Sequence, residues 1–329
     1  MKLAVVTGSA GFIGTNLVKS LLEKDCAIIG IDNFYSSEEW KAELFNQNPN
    51  YEFINHDIVE PLNAVIESSK LFKKFNNIDE IYNLACPASP PRYINLSLET
   101  IKINTTGVFN ILDLAKKYNS KVLHTSTSEV YGEPLIHPQI ETYRGNVNTV
   151  GPRSCYDEGK RISETICYEY KRLFNTKVKI VRIFNTYGPY MDPNDGRVVT
   201  NFINQALKGE NLTIYEEGKQ TRSFQYIDDL ISGFFKFMET EDEFYGPVNL
   251  GNPDEFTIKE LAEVVLELID SKSQIDYIKM DENNPYKSSH DPQQRKPDIS
   301  LAKSKLDWEP KVKLEEGLKR TIEYYKTVN

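Results

Sequence analysis

A short apolar run, Leu3–Thr7, passes directly into Gly8-Ser9-Ala10-Gly11-Phe12-Ile13-Gly14 and then into an amphipathic stretch, Phe12–Lys24. This strand, glycine turn and helix constrain the fold more than any other feature of the chain. Glycine permits a tight turn and lets backbone N–H groups at the positive end of a helix approach a pyrophosphate. The spacing is G-x-x-G-x-x-G rather than G-x-G-x-x-G. A second apolar run, Ala27–Ile31, ends on Asp32, 18 residues beyond Gly14. A carboxylate there accepts hydrogen bonds from both hydroxyls of an adenosine ribose and repels a 2′-phosphate. The pattern predicts an NAD site on Gly8, Gly11, Phe12, Ile13, Gly14 and Asp32, with Asp57-Ile58 after the third strand near the adenine.

The same alternation continues. Tyr51–Asn55, Ile81–Leu84, Val122–Thr125 and Val178–Arg182 read as strands, and Leu98–Tyr118 and Tyr156–Phe174 as long helices. Strands alternating with helices give a parallel sheet covered on both faces. The expected class is therefore α/β, a doubly wound, Rossmann-like parallel sheet with a smaller C-terminal α/β substrate domain. Beyond Phe184 the pattern changes: Val198–Lys208, Phe256–Ile269 and Leu314–Tyr325 read as helices and Leu212–Tyr215 as a short strand. Residues 1–183 are expected to bind the dinucleotide and 184–329 mainly the substrate, with the chain recrossing near 224–250. The polar, proline-broken stretch Asn283–Pro297 is expected to be a long surface or lid loop.

Composition excludes several classes. The net charge is −9 and no basic run is present, which argues against nucleic acid as a partner. No window approaches the roughly 18 unbroken apolar residues of a membrane span, and Met1–Val6 is too short for a leader core. A cytoplasmic protein is expected. Cys26, Cys86, Cys155 and Cys167 form no C-x-x-C pair, so free thiols and no metal site are expected.

Two further motifs carry chemistry. Tyr156 and Lys160 stand at i and i+4 of a helix and share a face. A phenol is a poor base at neutral pH until positive charge nearby favours the phenolate. A hydride-transfer enzyme needs such a base for a hydroxyl proton. Thr125–Gly132 follows a strand directly, at the edge where ligands bind. Thr127 is placed to hydrogen-bond a reacting hydroxyl, and Glu129 is an acid/base candidate.

The glycine turn, Thr127, Tyr156 and Lys160 resemble the extended short-chain dehydrogenase/reductase family along essentially the whole chain. Within it the sequence is most similar to the UDP-glucuronate decarboxylases. The stretches that carry this are Asn83–Pro91, Ser126–Gly132, Gly151–Arg161, Asn194–Val199 and Arg295–Asp298. Ser128-Glu129 stands where sugar dehydratases usually have Asp-Glu, and epimerases usually lack that Glu.

The resemblance implies decarboxylation of UDP-glucuronate to UDP-xylose through a temporary ketone at C4. Tyr156 would take the 4-hydroxyl proton, Lys160 would hold the nicotinamide ribose and depress the phenol, and Ser128, Glu129 and Arg295 would lie near the departing carboxylate. Asn33, Leu84 and Ala85 would join the cofactor site. Lys102, Asn110, Asn185, Arg197, Tyr215, Arg222 and Arg295 would contact substrate, with Arg222 at the diphosphate. It also implies a homodimer through the two long helices, to which Ile166 and Tyr170 are candidate contributors. A nucleotide-sugar 4,6-dehydratase or 4-epimerase, and a non-catalytic NAD-binding sensor, are the alternatives.

Overall fold

The computed structural model describes residues 1–279 and 294–328. Seven parallel strands make the main sheet: β1 (Leu3–Thr7), β2 (Ala27–Asp32), β3 (Tyr51–Asn55), β4 (Glu80–Asn83), β5 (Lys121–Thr127), β6 (Lys177–Ile183) and β7 (Val248–Leu250). Their spatial order is β7-β6-β5-β4-β1-β2-β3. Every residue of β1 and β2 is buried, as a parallel sheet covered on both faces requires. The order reverses between β1 and β4, and the crevice beyond the carboxyl ends at such a switch point is where ligands bind. Register brings Thr7, Ile31 and Asn83 level, and sets Thr127 opposite Ile183.

Two apolar cores fill the two faces. One packs α1 (Phe12–Glu23) and later helices against residues such as Val6, Tyr82 and Leu123. The other packs α2 (Val108–Tyr118) and α3 (Ser154–Phe174) against residues such as Val5, Ile81 and Val122. The helix expected over Leu98–Tyr118 is broken into Ser97–Lys102, a π-type turn Ile103–Gly107, and α2. Ile166 and Tyr170, expected outside the sheet-facing stripe, belong to this second core and are buried. The broad apolar face of α3 reaches further round the helix than its sequence pattern suggests.

After β6 the chain builds a second layer over the carboxyl edge. Thr186–Tyr187 pairs with Gln225–Tyr226, and Leu212–Tyr215 with Ile275–Ile278. Thr221–Ser223 pairs antiparallel with Glu255–Thr257 and parallel with Gln294–Arg295. Helices α4 (Val198–Lys208), α5 (Ile227–Met238), α6 (Ile258–Ile269) and α7 (Leu314–Val328) cover this layer and the sheet. The helix expected from Phe256 starts at Ile258, because Glu255–Thr257 is a strand and Thr257 with Glu260 forms a capping box. Of the loop expected over Asn283–Pro297, residues 283–293 lie outside the described residues. Gln294–Arg295 is a strand instead, stitched to Thr221–Arg222 by backbone pairing. Among the described residues no helix is long and apolar enough to cross a membrane.

The glycine turn is as tight as its sequence implies. A Cβ on Gly14 would stand 2.0 Å from the Gly8 carbonyl oxygen, and one on Gly8 would stand 2.9 Å from Ala85 N. These neighbours are backbone and cannot rotate away. Gly14→Ala is therefore expected to destabilise the protein by about 1–3 kcal/mol and to weaken NAD binding, read by chemical denaturation and calorimetry.

Candidate active site

A cleft of about 640 Å³ runs along the carboxyl edge of the sheet, between the glycine turn and the second layer. Gly8, Gly11, Phe12, Ile13, Gly14 and Leu84 line it. A smaller recess of about 70 Å³ is lined by Asp32, Asn33, His56, Asp57, Ile58, Leu84 and Ala85. All of the cofactor residues expected from sequence thus border one of two neighbouring spaces. Three donors hold the Asp32 carboxylate: Ala10 N at 3.0 Å, Phe34 N at 2.9 Å and Ser37 Oγ at 2.7 Å. Leu84 N and Ala85 N both donate to the Thr7 hydroxyl, at 3.2 and 3.3 Å. These bonds fix the turn, the second strand end and the fourth strand end relative to one another.

The geometry fits a dinucleotide. The N-cap of α1 is Gly11, with no side chain covering the helix end, so its first N–H groups are open to a pyrophosphate. His56 Nε2 is buried in the recess wall and has no hydrogen-bond partner among the described residues. A buried polar atom of this kind calls for a partner, and a nucleoside can supply one.

The reacting centre lies deeper in the cleft. Tyr156 and Lys160 sit on the first two turns of α3, and both are buried. The Lys160 ammonium donates to the Thr125 carbonyl at 2.9 Å. Burial pushes the Tyr156 phenol above its ordinary value, the charge of Cys86 adds to this, and a hydrogen bond with Thr127 works against it. Tyr93, on the short helix Pro90–Asn95, stacks on Tyr156 with ring centroids 4.7 Å apart and planes 7° from parallel.

Beside this pair lies a cluster of charges. Glu129 is held in a 3-10 turn, Ser128–Tyr131, and its own N–H donates to Thr127 Oγ1 at 3.2 Å. Its Oε2 accepts from Arg153 Nη2 at 2.6 Å and Arg295 Nη2 at 3.2 Å. Arg295 is 2% exposed and also donates to the Ser128 carbonyl at 2.9 Å. Asp157 Oδ2 is 4.0 Å from Arg153 Nε. Sequence reasoning had not assigned Arg153, Asp157 or Tyr93. The i, i+4 spacing of Arg153 and Asp157 was a readable signal, whereas nothing in the sequence around Tyr93 announces a ring stacked on Tyr156.

Asn185, Arg197, Tyr215 and Arg222 line the same cleft as Arg295. Arg197 is ion-paired with Asp195, and Arg222 donates to the Thr221 carbonyl at 2.8 Å. Two expected substrate residues lie elsewhere. Lys102 is exposed on the helix Ser97–Lys102 and does not line the cleft. Asn110 donates to the carbonyls of Ile58 at 2.8 Å and Val59 at 2.9 Å. It therefore clamps the loop that carries Asp57-Ile58 and does not face the sugar end. Among the described residues no cluster of metal-ligating side chains is present.

The sequence model of the GDP-mannose 4,6 dehydratase family matches residues 5–321. UDP-glucuronic acid decarboxylase 2 of Arabidopsis thaliana is 51% identical over 95% of the chain, which spans 66% of that relative's length. UDP-glucuronic acid decarboxylase 6 of the same plant is 51% identical over 95% of the chain and 86% of its own length. The crystal structure of a UDP-glucuronic acid 4-epimerase from Bacillus cereus, in complex with UDP-glucuronic acid and NAD, superposes with a TM-score of 0.84. It is 28% identical, over 99% of this chain and 100% of that one. The chain belongs to the GDP-mannose 4,6 dehydratase family of extended short-chain dehydrogenases/reductases, the family of the UDP-glucuronic acid decarboxylases.

Proposed function

We propose that this chain decarboxylates UDP-glucuronate to UDP-xylose. The observation that carries this reading is the joining of two chemistries in one cleft. A buried Tyr156–Thr127 pair suits removal of a hydroxyl proton. Immediately beside it, Glu129 is held by two guanidiniums where a substrate carboxylate would arrive.

NAD, when bound, would supply a reversible hydride acceptor for C4 of the sugar. The glycine turn and Asp32 would hold its adenosine diphosphate half, and Lys160 its nicotinamide ribose. Tyr156 takes the 4-hydroxyl proton, and the positive charge of a bound nicotinamide would favour its phenolate. The resulting C4 ketone is β to the C6 carboxylate, so breaking the C5–C6 bond releases CO₂ and delocalises the electron pair onto the ketone oxygen. Thr127 and Tyr156 stand as donors at that oxygen, where negative charge develops. A proton added at C5 and hydride return to C4 complete the reaction. Asn185, Arg197, Tyr215 and Arg222 are assigned to the uridine diphosphate, with the Arg222 fork on phosphate oxygens.

The active form is assigned as a homodimer. Leu98, Ile101 and Phe109, before and on α2, and Ile162 and Tyr168 on α3 are exposed apolar side chains on adjacent packed helices. Such a face suits a second copy of the same helix pair. The four cysteines are free thiols, which suits a reducing, cytoplasmic setting.

NMR of the reaction with UDP-glucuronate is expected to show UDP-xylose and CO₂ in equal amounts. UDP-galacturonate would instead make the chain an epimerase, and tight NAD binding without turnover of any UDP-sugar would make it a sensor. Tyr156→Phe is expected to lower kcat by roughly 10²–10⁴-fold while the Kd for NAD stays within a few-fold. Ile162→Glu with Phe109→Glu is expected to convert a sedimenting dimer to monomer. A wild-type protein that sediments only as monomer at micromolar concentration would remove the dimer.

A further inference from the structure

A pyrophosphate is dianionic, and the backbone N–H groups of a glycine turn meet it with partial charge only. A full cation at the same end of the cleft completes such a site, and Lys41 is placed there. It lies on the short helix Glu39–Glu43 after β2, is 3% exposed, and lines the large cleft with Gly11, Phe12, Ser36 and Ser37. Two sets of contacts fix it beside the start of α1. On one side, the Asp32 carboxylate accepts from Ala10 N in the glycine turn at 3.0 Å and from Ser37 Oγ at 2.7 Å. These bonds pin the segment that leads to Lys41 against the turn. On the other side, the Lys41 ammonium lies 5.5 Å from the centroid of the Trp40 ring, and Trp40 faces Tyr190 with centroids 6.4 Å apart. The carbonyl of Pro189, next to Tyr190, accepts from Asn16 Nδ2 on α1 at 2.9 Å.

The ammonium of a lysine has three N–H donors. Among the described residues that of Lys41 has one ion-pair partner, Glu38 Oε2 at 2.8 Å, and the Glu38 side chain is 42% exposed. Glu38 stands three residues earlier on the same segment and can return to water when the ammonium turns from it. A buried cation held by one half-exposed carboxylate is poised for a stronger anion. Other cations that line the cleft are held from within it: Lys160 by the Thr125 carbonyl, Arg92 by Asp192 and Arg197 by Asp195. We propose that Lys41 is the side-chain cation for the pyrophosphate of NAD, donating to its oxygens alongside the backbone N–H groups of the glycine turn. Glu38 is the counter-ion that Lys41 leaves, so Glu38 competes with the cofactor for the ammonium and sets how tightly NAD is held. The nucleotide sugar brings a diphosphate of the same chemistry, and the contacts with the glycine turn and α1 assign Lys41 to the cofactor instead. The inference deepens the cofactor half of the proposed function and does not depend on which sugar is bound.

Calorimetry separates the two diphosphates. NADH and ADP-ribose carry that of the cofactor, and UDP-xylose, titrated at saturating NADH, carries that of the sugar. Lys41→Gln is expected to weaken NADH and ADP-ribose alike by about tenfold, the order of one charge-assisted hydrogen bond. Its affinity for UDP-xylose is expected to stay within about twofold of wild type, which also shows that the cleft is intact. Glu38→Gln removes the competing carboxylate from a half-exposed position and is expected to tighten NADH about threefold. A Lys41→Gln protein that binds NADH as wild type does, or that loses UDP-xylose as much as NADH, overturns the inference. So does a Glu38→Gln protein that binds NADH no more tightly than wild type, and this arm decides the matter if Lys41→Gln does not fold. The NADH arms read the inference whatever the sugar, so a wild-type protein that does not bind UDP-xylose counts against the substrate reading alone.

Discussion

The site hangs on the parallel pairing of β5 between β4 and β6. That pairing carries Thr125, Ser126 and Thr127 to the carboxyl edge of the sheet with Thr127 opposite Ile183. Thr125 Oγ1 donates to the Asn83 carbonyl at 2.9 Å, and the Thr125 carbonyl accepts from Lys160. Two residues on, Thr127 Oγ1 accepts from Glu129 N, and the Ser128 carbonyl accepts from Arg295. One strand end therefore orients the lysine, the tyrosine's partner, the acid and the arginine. A slip of one residue would turn Thr127 to the opposite face of the sheet and separate it from Tyr156. The buried ladder on both sides prevents that slip, because it would also reverse every apolar side chain of β5.

The second constraint is electrostatic. Arg295 is almost wholly buried, and an unpaired buried cation is strongly destabilising. Glu129 and the Ser128 carbonyl satisfy two of its nitrogens, so its charge is compensated before any substrate arrives. On the proposed reaction, the same pairing keeps Glu129 close to where a carboxylate would sit, and like charge there would favour departure of CO₂. The contacts that stabilise the cleft would then be the same set that assists the proposed decarboxylation.

Much of this was legible in the sequence, for identifiable reasons. The strands β1 and β2 are apolar runs bounded by turn residues, and their ends and those of β3 fall within a residue of the expected ones. Tyr156, Lys160, Thr127 and Glu129 lie within two contiguous motifs, and local spacing was enough to bring each motif to the sheet edge. Contacts between distant segments were less legible. Arg295 was expected from resemblance, yet its strand pairing with Thr221–Arg222 joins residues 73 positions apart and leaves no periodic trace in a two-residue strand. Lys102 and Asn110 were assigned to the substrate by resemblance alone, and no local pattern announces that Lys102 is exposed and that Asn110 bonds the Ile58 and Val59 carbonyls. Arg153 and Asp157 were in plain view but read as part of a motif rather than as charges, since their meaning comes from Glu129 and Arg295 across the cleft.

The central claim is that oxidation at C4 is temporary and serves to release the carboxylate at C6. Running the reaction on UDP-glucuronate in D₂O and reading the UDP-xylose by proton NMR tests this directly. The account predicts one deuteron at C5, supplied by solvent, and ordinary hydrogen kept at C4, because the hydride returns to the carbon it left. Deuterium at C4, or UDP-xylose with no deuterium at C5, would contradict it.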